Sequence, residues 1–322
     1  MKDQWNRRRF ITRLGVSSAG ILGASTIGLL AKDRGRHEPP DTRRMGHVRD
    51  FRSNLGGAMP SLVISRGDPS AATRGAVEEL GGIERFVRPG DTVVIKPNVG
   101  WDRTPIQAAN TNPLVIGALV SLCRTAKASR IVVTDNTCNE ARRCFTRSGI
   151  WKAVEDAGGE VILPAPHRFK PYDLGGIVLG RMPVLVPAVR ADRFINVPVA
   201  KHHGLSGFTG GMKNLYGVLG GRRNRLHQNI DVSIADLAHF IRPTLTVMDA
   251  TRVLLRNGPQ GGDVADTLAI GEVIASEDPV AVDAYACGLI NLAPGDLPYL
   301  AIAEQRGIGT ADLTRIERRE VS

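Results

Sequence analysis

Acidic side chains are missing from the whole stretch between Asp192 and Asp231. Cysteine is scarce too, with 4 in 322 residues. No C-x-x-C-x-x-C run exists, which excludes a two-cluster ferredoxin module. Aromatic residues make up 5% of the chain, too few stacking platforms for a general single-strand binder. A strongly basic body is also missing, although the net charge is +10. Residues 1–31 carry +4 and residues 32–58 carry +3, leaving only +3 for residues 59–322. Nucleic-acid binders concentrate charge on the folded body, so no nucleic-acid partner is expected. The apolar run Leu14–Ala31 is too short and too rich in Gly and Ser for a stable membrane span, unless an uncleaved signal serves as an anchor.

What is present begins with an address. Arg7-Arg8-Arg9-Phe10-Ile11 resembles the twin-arginine export motif, and the apolar run follows it in the expected order. Residues 1–31 therefore read as a twin-arginine signal sequence. Residues 32–58 read as a polar linker, and residues 59–322 as a single α/β domain. The expected location is periplasmic or otherwise exported, with the twin-arginine export machinery as a partner.

Along the body, buried strands alternate with amphipathic helices. Strands are predicted from Ser61, Asp91, Arg130, Gly159 and Thr244, in the MPVLVPAV and DRFINVPV segments, and at Ala269–Ala275. Helices are predicted at Ala71–Leu80, Pro113–Ala126, Arg142–Ala157, Ile234–Ile241, Pro279–Ile290 and Leu297–Arg306. This spacing predicts an α/β fold with a mostly parallel sheet and helices on both faces, in one or two lobes. Ligands in such sheets lie at the carboxyl ends of strands. Lys96-Pro97-Asn98, Asp135-Asn136, Asn196 leading to Lys201, and Asp249 all fall at strand ends.

The acid-free stretch holds NVPVAKHHGLSGFTGGMKNLYGVLGG from Asn196, with seven glycines. Lys201, His203 and Lys213 are the candidate catalytic groups. His202 and His203 would point to opposite sides of an extended segment, and His203 is the one expected to face a ligand, as acid, base or metal ligand. Gly210 and Gly211 are expected to turn into a helix whose first amides, with Lys213 and Asn214, meet an anion. Lys96 and Asn98 complete the expected ligand-binding set. The run is neither a P-loop nor a dinucleotide fingerprint. Arg222, Arg223, Arg225 and His227 read as a solvated loop that steers anions. Asp135, Asp249 and Asp283 each read as structural before catalytic, and Ser206 reads as a loop serine. Cys138 and Cys144 admit three readings: a disulfide, metal or cluster ligands, or two thiols. Cys123 and Cys287 read as core.

KPNVG at Lys96, NTNP at Asn110, TDN at Thr134, the AKHHGLSGFTGGMKNLYG stretch, VMDA at Val247, NGPQGG at Asn257 and SEDPVAVDA at Ser276 together resemble the domain-of-unknown-function family 362. The resemblance spans roughly Pro60 to Asp312, and MKNLYG is its most specific part. Many members of the family carry an appended ferredoxin module, and the twin-arginine start here suggests an exported subgroup without it. The resemblance also implies a cofactor relation, with an iron–sulfur cluster or a divalent metal as candidates. A looser likeness, of fold only, is to nickel-dependent racemases. The function expected is an exported cofactor- or metal-dependent protein, an enzyme that binds a small anionic ligand, carboxylate or phosphate, at the Lys/His/Gly-rich loop. The alternatives are a non-catalytic periplasmic anion-binding protein and an iron–sulfur electron-transfer protein.

Overall fold

The computed structural model describes residues 48–52 and 61–322. The twin-arginine motif and the apolar run lie outside the described residues. Twelve strands follow in chain order. They are β1 (Ser61–Arg66), β2 (Thr92–Pro97), β3 (Arg130–Val133), β4 (Glu160–Val161), β5 (Phe169–Asp173) and β6 (Arg181–Leu185), then β7 (Arg193–Val197), β8 (Val199–His203), β9 (Gly207–Thr209), β10 (Leu245–Leu254), β11 (Thr267–Ser276) and β12 (Glu317–Val321).

Ten of them form one sheet in the order β12-β1-β11-β10-β7-β2-β3-β4, with the hairpin β8–β9 joined to β10. From β4 to β10 every neighbour is parallel. Strand β11 is antiparallel to both β10 and β1. The fold is therefore α/β with a mostly parallel mixed sheet, as the alternation of elements implies. It is one continuous sheet rather than two lobes. The remaining pair, β5 and β6, makes a separate antiparallel hairpin.

The two-residue period of a strand explains the two cores. In β2, Val93 and Ile95 face one layer, which holds Ala76 of the helix Pro69–Glu79, Leu119 of the helix Pro113–Thr125 and Val154 of the helix Ile150–Asp156. Val94 faces the other layer, with Leu237 of the helix Ile230–Phe240, Val280 of the helix Pro279–Ala286 and Leu300 of the helix Pro298–Gln305. Three of these helices start in the same way. Asp68, Asn112 and Asp278 accept backbone N–H bonds as N-caps, and a proline follows each. An N-cap oxygen satisfies orphan amides, and proline at the first helical position loses no bond.

Local departures from the sequence reading have local causes. The helix expected over residues 142–157 breaks into Ala141–Arg147 and Ile150–Asp156, because Gly149 between them takes a left-handed φ of 75°. MPVLVPAV yields β6 and a short helix, Val186–Val189, instead of one long strand. Of the linker read over residues 32–58, only residues 48–52 are described, and these pack on the body. Val48 and Phe51 are buried in the core, and the Phe51 ring lies 5.5 Å from that of Phe194. The Thr244 hydroxyl donates to the Phe51 carbonyl at 2.7 Å. Two apolar residues three apart bring that short segment into the body. Among the described residues no helix is long and apolar enough to cross a membrane.

Candidate functional site

Strands β2, β3 and β7 run parallel, so their carboxyl ends share one edge of the sheet. Lys96, Asn98, Asp135 and Asn136 leave β2 and β3 there and meet Lys201 and His203 from β8. Lys213 and Asn214 come from the short helix Gly211–Asn214. These residues line one cavity of about 600 Å³. Alternation along β8 sorts the histidines as expected. His203 lines the cavity. His202 turns away, and its Nδ1 accepts the Gly258 amide at 3.2 Å.

Lys96 and Asn214 build the wall. The Lys96 ammonium meets Asp135 at 2.9 Å, and it donates to the Pro97 carbonyl at 2.7 Å and to Asn214 Oδ1 at 2.8 Å. Two hydrogen bonds and one ion pair thus hold the ammonium in place. Burial pushes its pKa down, and Asp135 opposes that shift. Asn214 Oδ1 also accepts from Asn98 Nδ2 at 3.0 Å, and its amide donates to Asn196 Oδ1 at 2.9 Å. Gly217 makes room for the ion pair: a Cβ there would stand 1.7 Å from Asp135 Oδ1 and 2.5 Å from Lys96 Nζ. Lys96 and Asn214, expected as ligand-binding groups, are thus committed to each other.

Lys201 and Lys213 differ from Lys96. Lys201 is 1% exposed. Its Nζ donates to Asn98 Oδ1 at 2.9 Å and the Ala109 carbonyl at 2.6 Å, and it pairs with no carboxylate among the described residues. Burial, and next the charge of Lys213, push its pKa down to about 7. Lys213 is 8% exposed, and burial pushes its pKa down to about 8. Its Nζ lies 5.0 Å from the Tyr216 ring centroid, a cation–π contact. It makes no hydrogen bond or ion pair among the described residues. Arg223 donates to the carbonyls of Asn136 at 2.7 Å and Thr137 at 2.9 Å and pairs with no carboxylate among the described residues. Among the described residues the lining holds one carboxylate, Asp135, which is already paired with Lys96. The cavity therefore carries uncompensated positive charge.

Of the roles expected for His203 (acid, base or metal ligand), its turn leaves only Nε2 free to face the cavity. Its Nδ1 accepts the amides of Leu205 at 3.1 Å and Ser206 at 3.3 Å, so that nitrogen carries no proton. Burial, followed by the charges of Lys213 and Lys201, pushes its pKa down to about 3. The ring is neutral and its proton is assigned to Nε2. A neutral imidazole in this tautomer donates a hydrogen bond, as an electrophilic histidine does. It stacks on His227 with 6.0 Å between ring centroids.

Gly210 and Gly211 do not line the cavity. The amides of Gly211 and Met212 donate to Asp283 at 2.5 and 3.1 Å, so an internal carboxylate occupies the place assigned to a ligand anion. A Cβ on Gly210 would lie 2.3 Å from Asp283 Oδ1, so that glycine serves close packing. Asp249 likewise accepts the amides of Asn112 and Thr251. The Ser206 hydroxyl donates to the Phe208 carbonyl.

The disulfide and shared-ligand readings of Cys138 and Cys144 are corrected. Both are free thiols. Cys144 points from its helix into the core, whereas Cys138 is exposed and lines the cavity. Cys123 and Cys287 are buried in opposite core layers. Among the described residues no group of three or more His, Cys, Asp or Glu side chains is arranged to hold a metal ion. The sequence reading also missed that Arg222, Arg223, Tyr216 and His227 line the cavity. The acid-free run was the available signal for the arginines.

The chain belongs to the family described as Domain of unknown function (DUF362), whose model matches residues 93–288. Every lining residue named above falls inside that stretch. A curated relative is the thylakoid-associated protein sll1697 of Synechocystis sp. (strain ATCC 27184 / PCC 6803 / Kazusa). It is 27% identical over 254 residues, which is 76% of this chain and 77% of the relative. Among solved structures, the lactate racemase apoprotein from Thermoanaerobacterium thermosaccharolyticum aligns with a TM-score of 0.46 at 12% identity, covering 76% of this chain and 58% of the other. A structure described as a putative alcohol dehydrogenase from Thermotoga maritima aligns with a TM-score of 0.22 at 17% identity, covering 55% of this chain and 29% of the other.

Proposed function

We propose that this protein is an exported enzyme that binds a small carboxylate- or phosphate-bearing molecule in the lysine-lined cavity. One observation carries the reading: Lys201 and Lys213 are both buried, line the same cavity and form no ion pair with a carboxylate among the described residues. A buried charge without a partner costs several kcal/mol. Such a group either gives up its proton or takes an anion. The cavity permits both, because amines with pKa values of about 7 and 8 exchange protons near neutral pH. Groups poised in this way suit general acid–base work. In this reading Lys201, Lys213 and Arg223 supply the positive charge that holds the anion, the His203 Nε2–H donates to it, and the two amines exchange protons with the bound molecule. The cavity volume of about 600 Å³ lies in the range for small-molecule sites.

Thermal denaturation at pH 6.5 with inorganic phosphate and a panel of mono- and dicarboxylates tests the binding. A saturable rise in Tm with one anion class, absent for the matching neutral amides, supports the reading. A panel with no response removes it. Proton transfer is tested by incubating the protein with the binding carboxylate in heavy water. Exchange of a carbon-bound hydrogen marks an enzyme, and binding without exchange leaves a passive anion carrier.

A further inference from the structure

We propose that the Lys213 amine condenses with the carbonyl carbon of a 2-oxo acid, so that the cavity holds an α-keto carboxylate as an imine. This rests on the anion-binding reading and names its substrate class. The three buried lysines of the cavity are not alike. Lys96 and Lys201 are tied by their Nζ atoms to protein oxygens. Lys213 alone of the three makes no such bond, so its lone pair is not held away from a reacting carbon. The Tyr216 ring lies 5.0 Å from its Nζ. The helix that carries Lys213 is anchored at its first amides by Asp283.

The partner groups suit a carbonyl with a carboxylate beside it. Lys201, Arg223 and the His203 Nε2–H line the same cavity, and none of them meets a carboxylate among the described residues. The amine is also available at neutral pH. Burial puts its pKa at about 8, which leaves roughly a tenth of it deprotonated at pH 7, against about one part in three thousand for an ordinary lysine. Desolvation beside other cations is a known way to activate an amine for imine formation.

The step balances without an oxidant or reductant. The amine lone pair forms the C–N bond, and the carbonyl oxygen takes up protons and leaves as water. The product is a protonated C=N linkage, which hydrolysis reverses. Borohydride delivers hydride to the imine carbon and fixes the adduct as a secondary amine.

The test treats the full chain with pyruvate and sodium borohydride, followed by peptide mass analysis. The expected result is an adduct on the Lys213 peptide about tenfold or more above that on the exposed Lys152. It should fall in the presence of oxalate and be weaker with acetone, which lacks the carboxylate. In Lys213→Ala the adduct should vanish from that peptide. Because that variant can also fail to fold, the labelling site in the unsubstituted protein decides. Labelling no greater at Lys213 than at Lys152 overturns the proposal. If phosphate or oxalate still raises Tm in that case, the anion site stands and only the imine falls. If neither occurs, both fall.

Discussion

Asp283 anchors Gly211: its Oδ1 accepts the Gly211 amide at 2.5 Å, while Oδ2 accepts that of Met212 at 3.1 Å. The two residues are far apart in sequence, yet this contact fixes the start of the helix that carries Lys213. It also fills a helix N-terminus from within, so those amides are not free to meet a ligand in the cavity.

Replacing Asp283 with Ala leaves both amides buried without an acceptor. Urea denaturation should show a loss of roughly 1–3 kcal/mol for each such amide. The linkage has a definite sign. Burial raises the Asp283 pKa from 3.8 to about 7, so the folded state keeps a proton that the unfolded state releases. Its contribution is full below pH 3.8 and is lost as pH rises through about 7. The stability of the unsubstituted protein relative to Asp283→Asn should therefore decline between pH 4 and pH 7.

Anion affinity should fall with rising pH. Lys201 and Lys213 are charged below their values of about 7 and 8 and neutral above them. Calorimetric titration of whichever anion binds should give its tightest affinity below pH 7 and a steady loss through pH 9. An affinity that does not change over that range would show that these amines do not hold the anion.

Gly217→Ala should be among the most damaging single-methyl changes in the protein. The added carbon would overlap Asp135 and crowd Lys96, separating a buried ion pair. Breaking such a pair costs about 3–5 kcal/mol. Thermal or urea denaturation reads the loss directly, and a stability within about 0.5 kcal/mol of the unsubstituted protein would contradict the packing described.

Replacing Arg7 and Arg8 with lysine keeps the charge but removes the arginine pair. Cell fractionation should show the protein retained in the cytoplasm. Unchanged export would assign the basic start to another route.

Much of this arrangement is legible in the residue order. The apolar runs of β2 and β7 announce buried parallel strands, and the polar residues after them announce the edge that lines the cavity. Alternation along β8 places Lys201 and His203 together. What is not legible comes from distant parts of the chain. Asp283 reads as an ordinary helical carboxylate until the fold sets it against Gly211. Arg223 and His227 read as solvated until the turn Arg223–Asn229 brings them to the cavity. The direction of His203 depends on two amides of its own turn, which spacing does not reveal. Cys138 and Cys144 look paired in sequence, but a helix turns one into the core.

The central claim, that Lys213 holds a small anion in this cavity, is tested most directly by calorimetric titration of oxalate at pH 6.5 into the unsubstituted protein and Lys213→Met. The account predicts one saturable site whose affinity drops by about tenfold or more in the variant, the worth of a charged hydrogen bond. No binding to the unsubstituted protein, or equal affinity in both, would contradict it.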